Sequence, residues 1–243
     1  MTDNFLTKLY SNFDRTPNLS IKELFVLMKK EFPDLADKTI HWKINQLKSK
    51  GVLSQLGRGI YSLSKKTDYK PELSTNLKRI FNKVKKELPF VNICIWDSRW
   101  FNEFMVHQMF KYYIVIETEK DACDSVFNIL SDNNKNVFID PEKEIYNHYI
   151  INHEEVIIVK PLFSEAPLLE IEKIKIPSIE KLLIDCLIDK DLFAAQQDEL
   201  DNIYKSVFEK YFVNINKIKR YARRRYKIEE FENIIEKLNL NNL

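Results

Sequence analysis

Apolar positions at helical spacing give way, near residue 50, to two short runs with strand character. Ile40, Ile44 and Leu47 fall at i, i+4 and i+7, which predicts a helix over 37–50 with one buried stripe. Asp37 stands where an N-cap belongs, and Gly51 where a helix stops. Val52–Leu56 and Ile60–Leu63, joined by Gly57-Arg58-Gly59, then predict a hairpin with a cation in its turn. Upstream, Phe5, Leu6, Leu9 and Phe13 share one side of a helix over Asn4–Phe13. Ser20-Ile-Lys-Glu23 is a capping box opening a helix that turns Leu24, Leu27 and Met28 inward and ends at Phe32-Pro33. Three helices followed by a two-stranded wing make a winged helix-turn-helix, and residues 1–66 are expected to be a domain of that type.

The pattern changes after a polar, proline-containing linker over Ser64–Leu73. Ser74–Leu88 predicts a basic amphipathic helix. Four β-rich runs follow, 91–96, 112–117, 136–140 and 155–160, separated by helical stretches over 98–109, 120–131 and 142–149. Strands alternating with helices predict an α/β layer on a partly parallel sheet, and Leu169–Ile176 adds a further extended piece. Beyond Pro177 the pattern is helical. One helix is capped by Ser178 and contains Leu182, Leu183, Leu187 and Ile188; others cover Ala195–Tyr211, Ile215–Tyr226 and Ile228–Leu240, and Asn239–Leu243 is expected to fray. The expected class is therefore α+β: a winged helix-turn-helix, then a mixed α/β domain over 67–243 whose helical C-terminal part spans 178–240.

Composition sharpens this division. All three glycines, Gly51, Gly57 and Gly59, lie in the helix–hairpin stretch, so no later segment is a glycine-rich phosphate cradle or a dinucleotide fingerprint. Net charge is +2 overall. Residues 1–66 nevertheless hold 12 Lys+Arg against 6 Asp+Glu, while residues 67–243 hold 26 against 30. A basic small module joined to an acidic larger one fits a nucleic-acid reader attached to an effector. Cys94, Cys123 and Cys186 are odd in number, widely spaced and set in apolar segments, as expected of free buried thiols in a reducing cytoplasm. No Cys/His spacing suggests a metal, and no cofactor is expected. No membrane span or signal peptide is expected, and the cytoplasm is the expected location.

In a winged helix-turn-helix the third helix enters the major groove. Opposite its buried stripe stand Lys38, Thr39, Trp42, Asn45, Gln46 and Ser49, flanked by His41 and Lys43. Asn45 and Gln46 suit bidentate contacts to adenine. Lys38, Lys43 and Arg58 suit phosphates, or a minor groove in the case of Arg58. Trp42 either contacts DNA or packs under the wing or against a partner. The competing use of such a domain is protein contact alone.

Asp97, Glu117, Glu119 and Asp140 stand at strand ends and raise an alternative, a winged-helix-targeted nuclease dependent on metal. Glu117-Thr-Glu119-Lys120 misses the Glu-x-Lys spacing, and the Gly-Ser turn of a nucleotidyltransferase is absent. A non-enzymatic protein is therefore expected. His107, His148 and His153 have no nucleophile at a readable spacing. Arg220, Arg223, Arg224 and Arg225, with Lys217, Lys219 and Lys227, form the densest run of charge. It is either a solvated face or a surface for an acidic partner or nucleic-acid phosphates.

The run KTIHWKINQLKSKGVLSQLGRGIYSL resembles the reader domain of the AbiE-type antitoxins of type IV toxin–antitoxin systems, with Arg58, Gly59 and Tyr61 matching the "rGxY" wing. Ser178, Glu180, Lys181, Leu183 and Asp185 match a second segment of that family, s-x-E-[RK]-x-L-x-D, in the right order along the chain. The stretch from Val91 to Lys160 does not follow the pattern of its best-known members. The resemblance implies an autorepressor that binds inverted repeats in double-stranded DNA upstream of its own operon. It also implies an antitoxin counteracting a co-encoded nucleotidyltransferase toxin in abortive infection, a phage defence.

Overall fold

The computed structural model describes residues 9–13, 16, 18–49, 51–63, 66–132, 134–153 and 155–240. It is a mixed α and β structure that divides into two compact units. One runs to Asp68 and takes in Glu209–Phe212; the other comprises Tyr69–Phe208 and Val213–Asn242. Among the described residues no helix is long and apolar enough to cross a membrane.

In the first unit, residues 9–13 are helical with Leu9 and Phe13 buried; the earlier part of that expected helix, with Phe5 and Leu6, lies outside the described residues. β1 (Asn18–Ser20) leads into α1 (Ile21–Glu31), α2 (Asp37–Ser49), β2 (Leu53–Gly57) and β3 (Ile60–Leu63). The capping box at α1 is closed both ways, Glu23 N–H donating to Ser20 Oγ at 3.3 Å and Ser20 N–H to Glu23 Oε2 at 2.6 Å. Leu24, Met28, Ile40, Ile44 and Leu47 bury their side chains with Leu53 and Tyr61 in one core. β1 is not legible in the sequence, because three residues are too few to show alternation. It pairs antiparallel with β3, which also pairs with β2, giving the order β1-β3-β2.

Asp37 does not cap α2. The Ala36 carbonyl accepts from Thr39 and Ile40, which puts Asp37 in the first turn. Its carboxylate lies 3.2 Å from Lys29 Nζ, which also donates to the Leu35 carbonyl at 2.6 Å. One lysine at the end of α1 thus holds the turn that aims α2.

Gly51 ends α2 at φ +68 and Gly59 closes the hairpin at φ +74, both left-handed positions that favour glycine. A Cβ on Gly51 would lie 1.8 Å from the Phe212 ring. Phe212 belongs to the returning segment, fixed by hydrogen bonds from Thr67 N–H to the Lys210 carbonyl (2.9 Å) and from Phe212 N–H to the Thr67 carbonyl (3.0 Å).

The second unit is built on a six-stranded sheet of order β6-β7-β5-β4-β9-β8. Its strands are β4 (Ile93–Asp97), β5 (Tyr112–Thr118), β6 (Val137–Ile139), β7 (Glu155–Pro161), β8 (Leu168–Ile171) and β9 (Ile174–Pro177). β4–β5 and β8–β9 pair antiparallel, while β5–β7, β6–β7 and β4–β9 are parallel. The extended piece expected over 169–176 is instead the β8–β9 hairpin. It turns on Glu172 and Lys173 at φ +51 and +67, without the glycine or asparagine that would have announced it.

Alternation sorts the strand residues to two faces. Ile93, Ile95, Ile114, Ile116, Ile157 and Val159 share a core with α3 (Thr75–Glu87) and α4 (Cys123–Ser131). On the other face lie Cys94, Trp96, Val115, Glu117 and Ile158, all buried, and there Glu117 bonds to α6 (Ile179–Ile188). Between the two, α5 is Lys143–His148. The chain ends in α7 (Ala194–Gln197), α8 (Leu200–Lys210), α9 (Ile215–Arg224) and α10 (Ile228–Lys237). The single helix expected over Ala195–Tyr211 is broken into α7 and α8, and the stretch 98–109 is 3-10 helix over Ser98–Phe104 followed by a loop. Ser178 does not cap α6 with its side chain; its Oγ donates to Glu180 Oε2 at 2.5 Å.

Gly51→Ala is expected to lower stability by more than about 1 kcal/mol, the cost of a left-handed Cβ, with the collision against Phe212 added. Gly57→Ala, at a site with nothing within 4 Å of the new Cβ, should be close to neutral. Urea unfolding of the two variants measures the contrast. Glu199 supplies a second handle. Burial works against its charge, but hydrogen bonds from the Val106 and His107 backbone N–H groups and from the His107 ring outweigh that and hold its carboxyl below the ordinary value. Its contribution is present above the unfolded carboxyl value of about 4.3 and lost as pH falls through the lower folded one. Glu199→Gln should therefore flatten the acid limb of stability against pH.

Candidate nucleic-acid interface

The buried stripe of α2 fixes what its other side presents. Ile40, Ile44 and Leu47 face the core, so Lys38, His41, Trp42 and Asn45 face solvent, with Thr39, Lys43 and Gln46 half-buried at the margins. Trp42 is 59% exposed, an apolar ring left uncovered on a polar face. The His41 ring packs edge-on against Phe25 at 4.6 Å between centroids, which orients it. Lys43 Nζ lies 5.3 Å from the centroid of the Phe32 ring, so its stem is drawn toward the start of the turn between α1 and α2. At the hairpin Arg58 is exposed, between Leu56 (61% exposed) and Ile60 (46%).

Two residues that the periodicity does not single out connect helix and hairpin. Lys48 Nζ donates to Gln55 Oε1 at 2.6 Å and sits 6.0 Å from the Tyr61 ring centroid. Gln55 Nε2 donates to the Gly57 carbonyl at 3.1 Å. This chain sets the hairpin against the last turn of α2, so that Arg58 is carried at a fixed offset from the helix. Only the opposition of Lys48 and Gln55 across Gly51 in the sequence could have signalled it.

The strand-end carboxylates do not converge. Asp97 takes a two-pronged ion pair from Arg99, at 2.5 to 3.0 Å. Glu119 accepts from the backbone and side chain of Asn92, and Asp140 lies 3.6 Å from Lys160. Among the described residues there is no group of three or more His, Cys, Asp or Glu placed to hold a metal.

Glu117 has a different fate. It accepts from Lys181 Nζ at 2.7 and 2.8 Å and from the Trp96 indole at 3.1 Å. Lys181 is fully buried and also donates to Asp185 Oδ2 at 2.5 Å. The other oxygen of Asp185 accepts from Tyr221 at 2.8 Å and from Arg225 at 2.7 Å. Burial lowers the Lys181 value, but Asp185 and Glu117 outweigh it, and the ammonium stays charged. The Cys94 thiol beside it is pushed up by burial and by Glu117, so it remains a thiol.

This network withdraws Arg225 from the surface proposed for Arg220–Arg225. Its guanidinium is turned inward to Asp185 and lies 4.4 Å from the Phe163 ring centroid. Arg224 is exposed but is 3.0 Å from Ser164 Oγ and 3.4 Å from Glu165. Arg220 and Arg223 remain exposed on α9. Of the s-x-E-[RK]-x-L-x-D residues, Ser178, Glu180, Lys181 and Asp185 are all buried. Glu180 accepts from the Asn214 N–H at 3.0 Å, which anchors the start of α9. The pattern is a fold-keeping one, and its side chains are not available to a partner.

Lys181→Met leaves Glu117 buried without its cation, while Asp185 keeps Arg225, and should cost about 3–5 kcal/mol in urea unfolding. Adding Glu117→Gln to that variant should restore part of the loss, because the one unpaired charge goes with it.

Comparison with characterised proteins finds no match. A family model does match, over residues 39–241, from the first turn of α2 through both units to the end of the helical part. The chain belongs to that family, a family of unknown function, DUF6577.

Proposed function

We propose that the first unit is a winged helix-turn-helix that reads double-stranded DNA, and that the protein is a transcriptional autoregulator serving as the antitoxin of a type IV toxin–antitoxin system. The observation that carries the DNA-reading half is the open polar side of α2, where Lys38, Trp42 and Asn45 are exposed and Arg58 stands exposed on the adjoining hairpin. Asn45, with Gln46 at the margin, offers the amide geometry that discriminates adenine, and Lys38, Lys43 and Arg58 offer phosphate contacts. Thr39 and His41 flank the same side. The excess of cations in residues 1–66 supplies the long-range attraction that precedes sequence reading.

The antitoxin half rests on the resemblance of two segments to AbiE-type antitoxins. Because the second segment is buried, a toxin would have to be met by other residues of that unit. Arg220 and Arg223 are candidates for an acidic partner or for further phosphates. The protein is read as non-enzymatic and cytoplasmic, acting without a cofactor. The nuclease alternative has less in its favour, since Asp97, Glu117, Glu119 and Asp140 are each held by a separate partner.

A gel shift on the protein's own upstream DNA tests the reading. Asn45→Ala should reduce the preference for cognate over random sequence by about 1–3 kcal/mol. Arg58→Ala should weaken both alike and flatten the dependence of log affinity on log salt by about one unit. If the two variants behave identically on the two DNAs, the assignment of α2 as the reading element is wrong.

A further inference from the structure

The second unit carries a cleft of about 360 Å³ at the end of the sheet where β4 stops and β5 and β7 begin, roofed by α3 and the end of α4. Its volume lies within the usual range for small-molecule sites. The floor is apolar, made by Ile80, Ile114, Leu130 and Ile157, which belong to one core, with buried Val156 beside them. Three cations stand around it, Arg79, Lys83 and Arg99. Two carboxylates line it as well, Asp97 and Glu155. Asp97 is neutralised by its pair with Arg99, so Arg79 and Lys83 outnumber the remaining Glu155.

The cations are held in place beforehand. Arg99 spends Nε and one amino group on Asp97, and among the described residues no hydrogen bond engages its NH1. Its guanidinium lies 5.4 Å from the Tyr112 ring centroid. Lys83 Nζ is tethered to the Ile129 carbonyl at 2.5 Å, which uses one of three donors, and Arg79 is steadied by Asn76 at 2.9 Å. An apolar floor under a rim with excess positive charge and unused donors matches one class of ligand. We infer that this cleft binds a small amphiphilic anion, a flat ring bearing a single phosphate or carboxylate, with the ring on the floor and the anionic group at Arg79, Lys83 and Arg99. This does not rest on the DNA-reading proposal, since the cleft lies wholly within the second unit.

The full-length protein is titrated with 8-anilinonaphthalene-1-sulfonate, whose fluorescence rises in an apolar site, and with the uncharged N-phenyl-1-naphthylamine. The anionic probe should bind at least about tenfold more tightly than the neutral one. Arg79→Ala with Lys83→Ala should weaken the anionic probe by about tenfold or more while leaving the neutral one little changed. Asn76→Trp, which fills the mouth, should weaken both; far-ultraviolet circular dichroism and thermal melts verify that each variant is folded. AMP and salicylate are then added as competitors: displacement by AMP identifies a phosphate-bearing ring, and displacement by salicylate a carboxylate-bearing one. The inference is overturned if folded variants bind the anionic probe as the wild type does, or if neither competitor displaces it at millimolar concentration.

Discussion

The second unit depends on how one buried ammonium is neutralised. Lys181 has no solvent, so its charge is tolerable only with carboxylates in direct contact. Glu117 comes from the sheet and Asp185 from one turn along the same helix, and between them they fix how α6 lies on β5. Asp185 then accepts from Tyr221 and Arg225, which brings α9 to the same point. Two cations and two carboxylates balance, and the Trp96 indole uses a remaining lone pair of Glu117. The apolar surroundings, including Trp96 stacked on Phe193 at 5.6 Å, keep water away and make every one of these partners obligatory. The ion pair adds to packing a fixed point of contact between α6 and β5.

That arrangement also sorts the charges of the protein by role. Lys181 and Arg225 are committed to the interior of the second unit, Lys29 and Lys48 to the turn and hairpin of the first, and Arg99 to Asp97. Lys38 and Arg58 are exposed on α2 and the hairpin. A run of like charge in a sequence says little until this sorting is done: Arg223, Arg224 and Arg225 are consecutive, yet one is open, one is paired at the surface and one is half-buried on Asp185.

Much of the frame is legible from the sequence because it rests on periodicity. Ile40, Ile44 and Leu47 announce α2 by spacing alone, the Ser20–Glu23 capping box marks the start of α1, and the apolar runs of β4, β5 and β7 stand out because both their faces are buried. The β8–β9 turn is hidden because Glu172 and Lys173 adopt a conformation their residue types do not advertise. The ionic network is hidden for a different reason. Its members come from three segments far apart in the chain, and a carboxylate at a strand end looks the same in sequence whether it faces water or a buried lysine. The open side of α2 follows from helical geometry, whereas the Lys48–Gln55 tie that fixes the hairpin to it requires coordinates.

The return of Glu209–Phe212 to the first unit bears on how the protein is made. The ring that lies against Gly51 and the strand-like partner of Thr67 are encoded 161 (212 − 51) and 144 (211 − 67) residues later, after most of the second unit. During synthesis, therefore, the N-terminal module leaves the ribosome long before its last piece exists. It reaches its finished form only once Phe212 has been made. A polypeptide cut short between Gly51 and Phe212 would carry the whole of α2 without the ring that lies against its end.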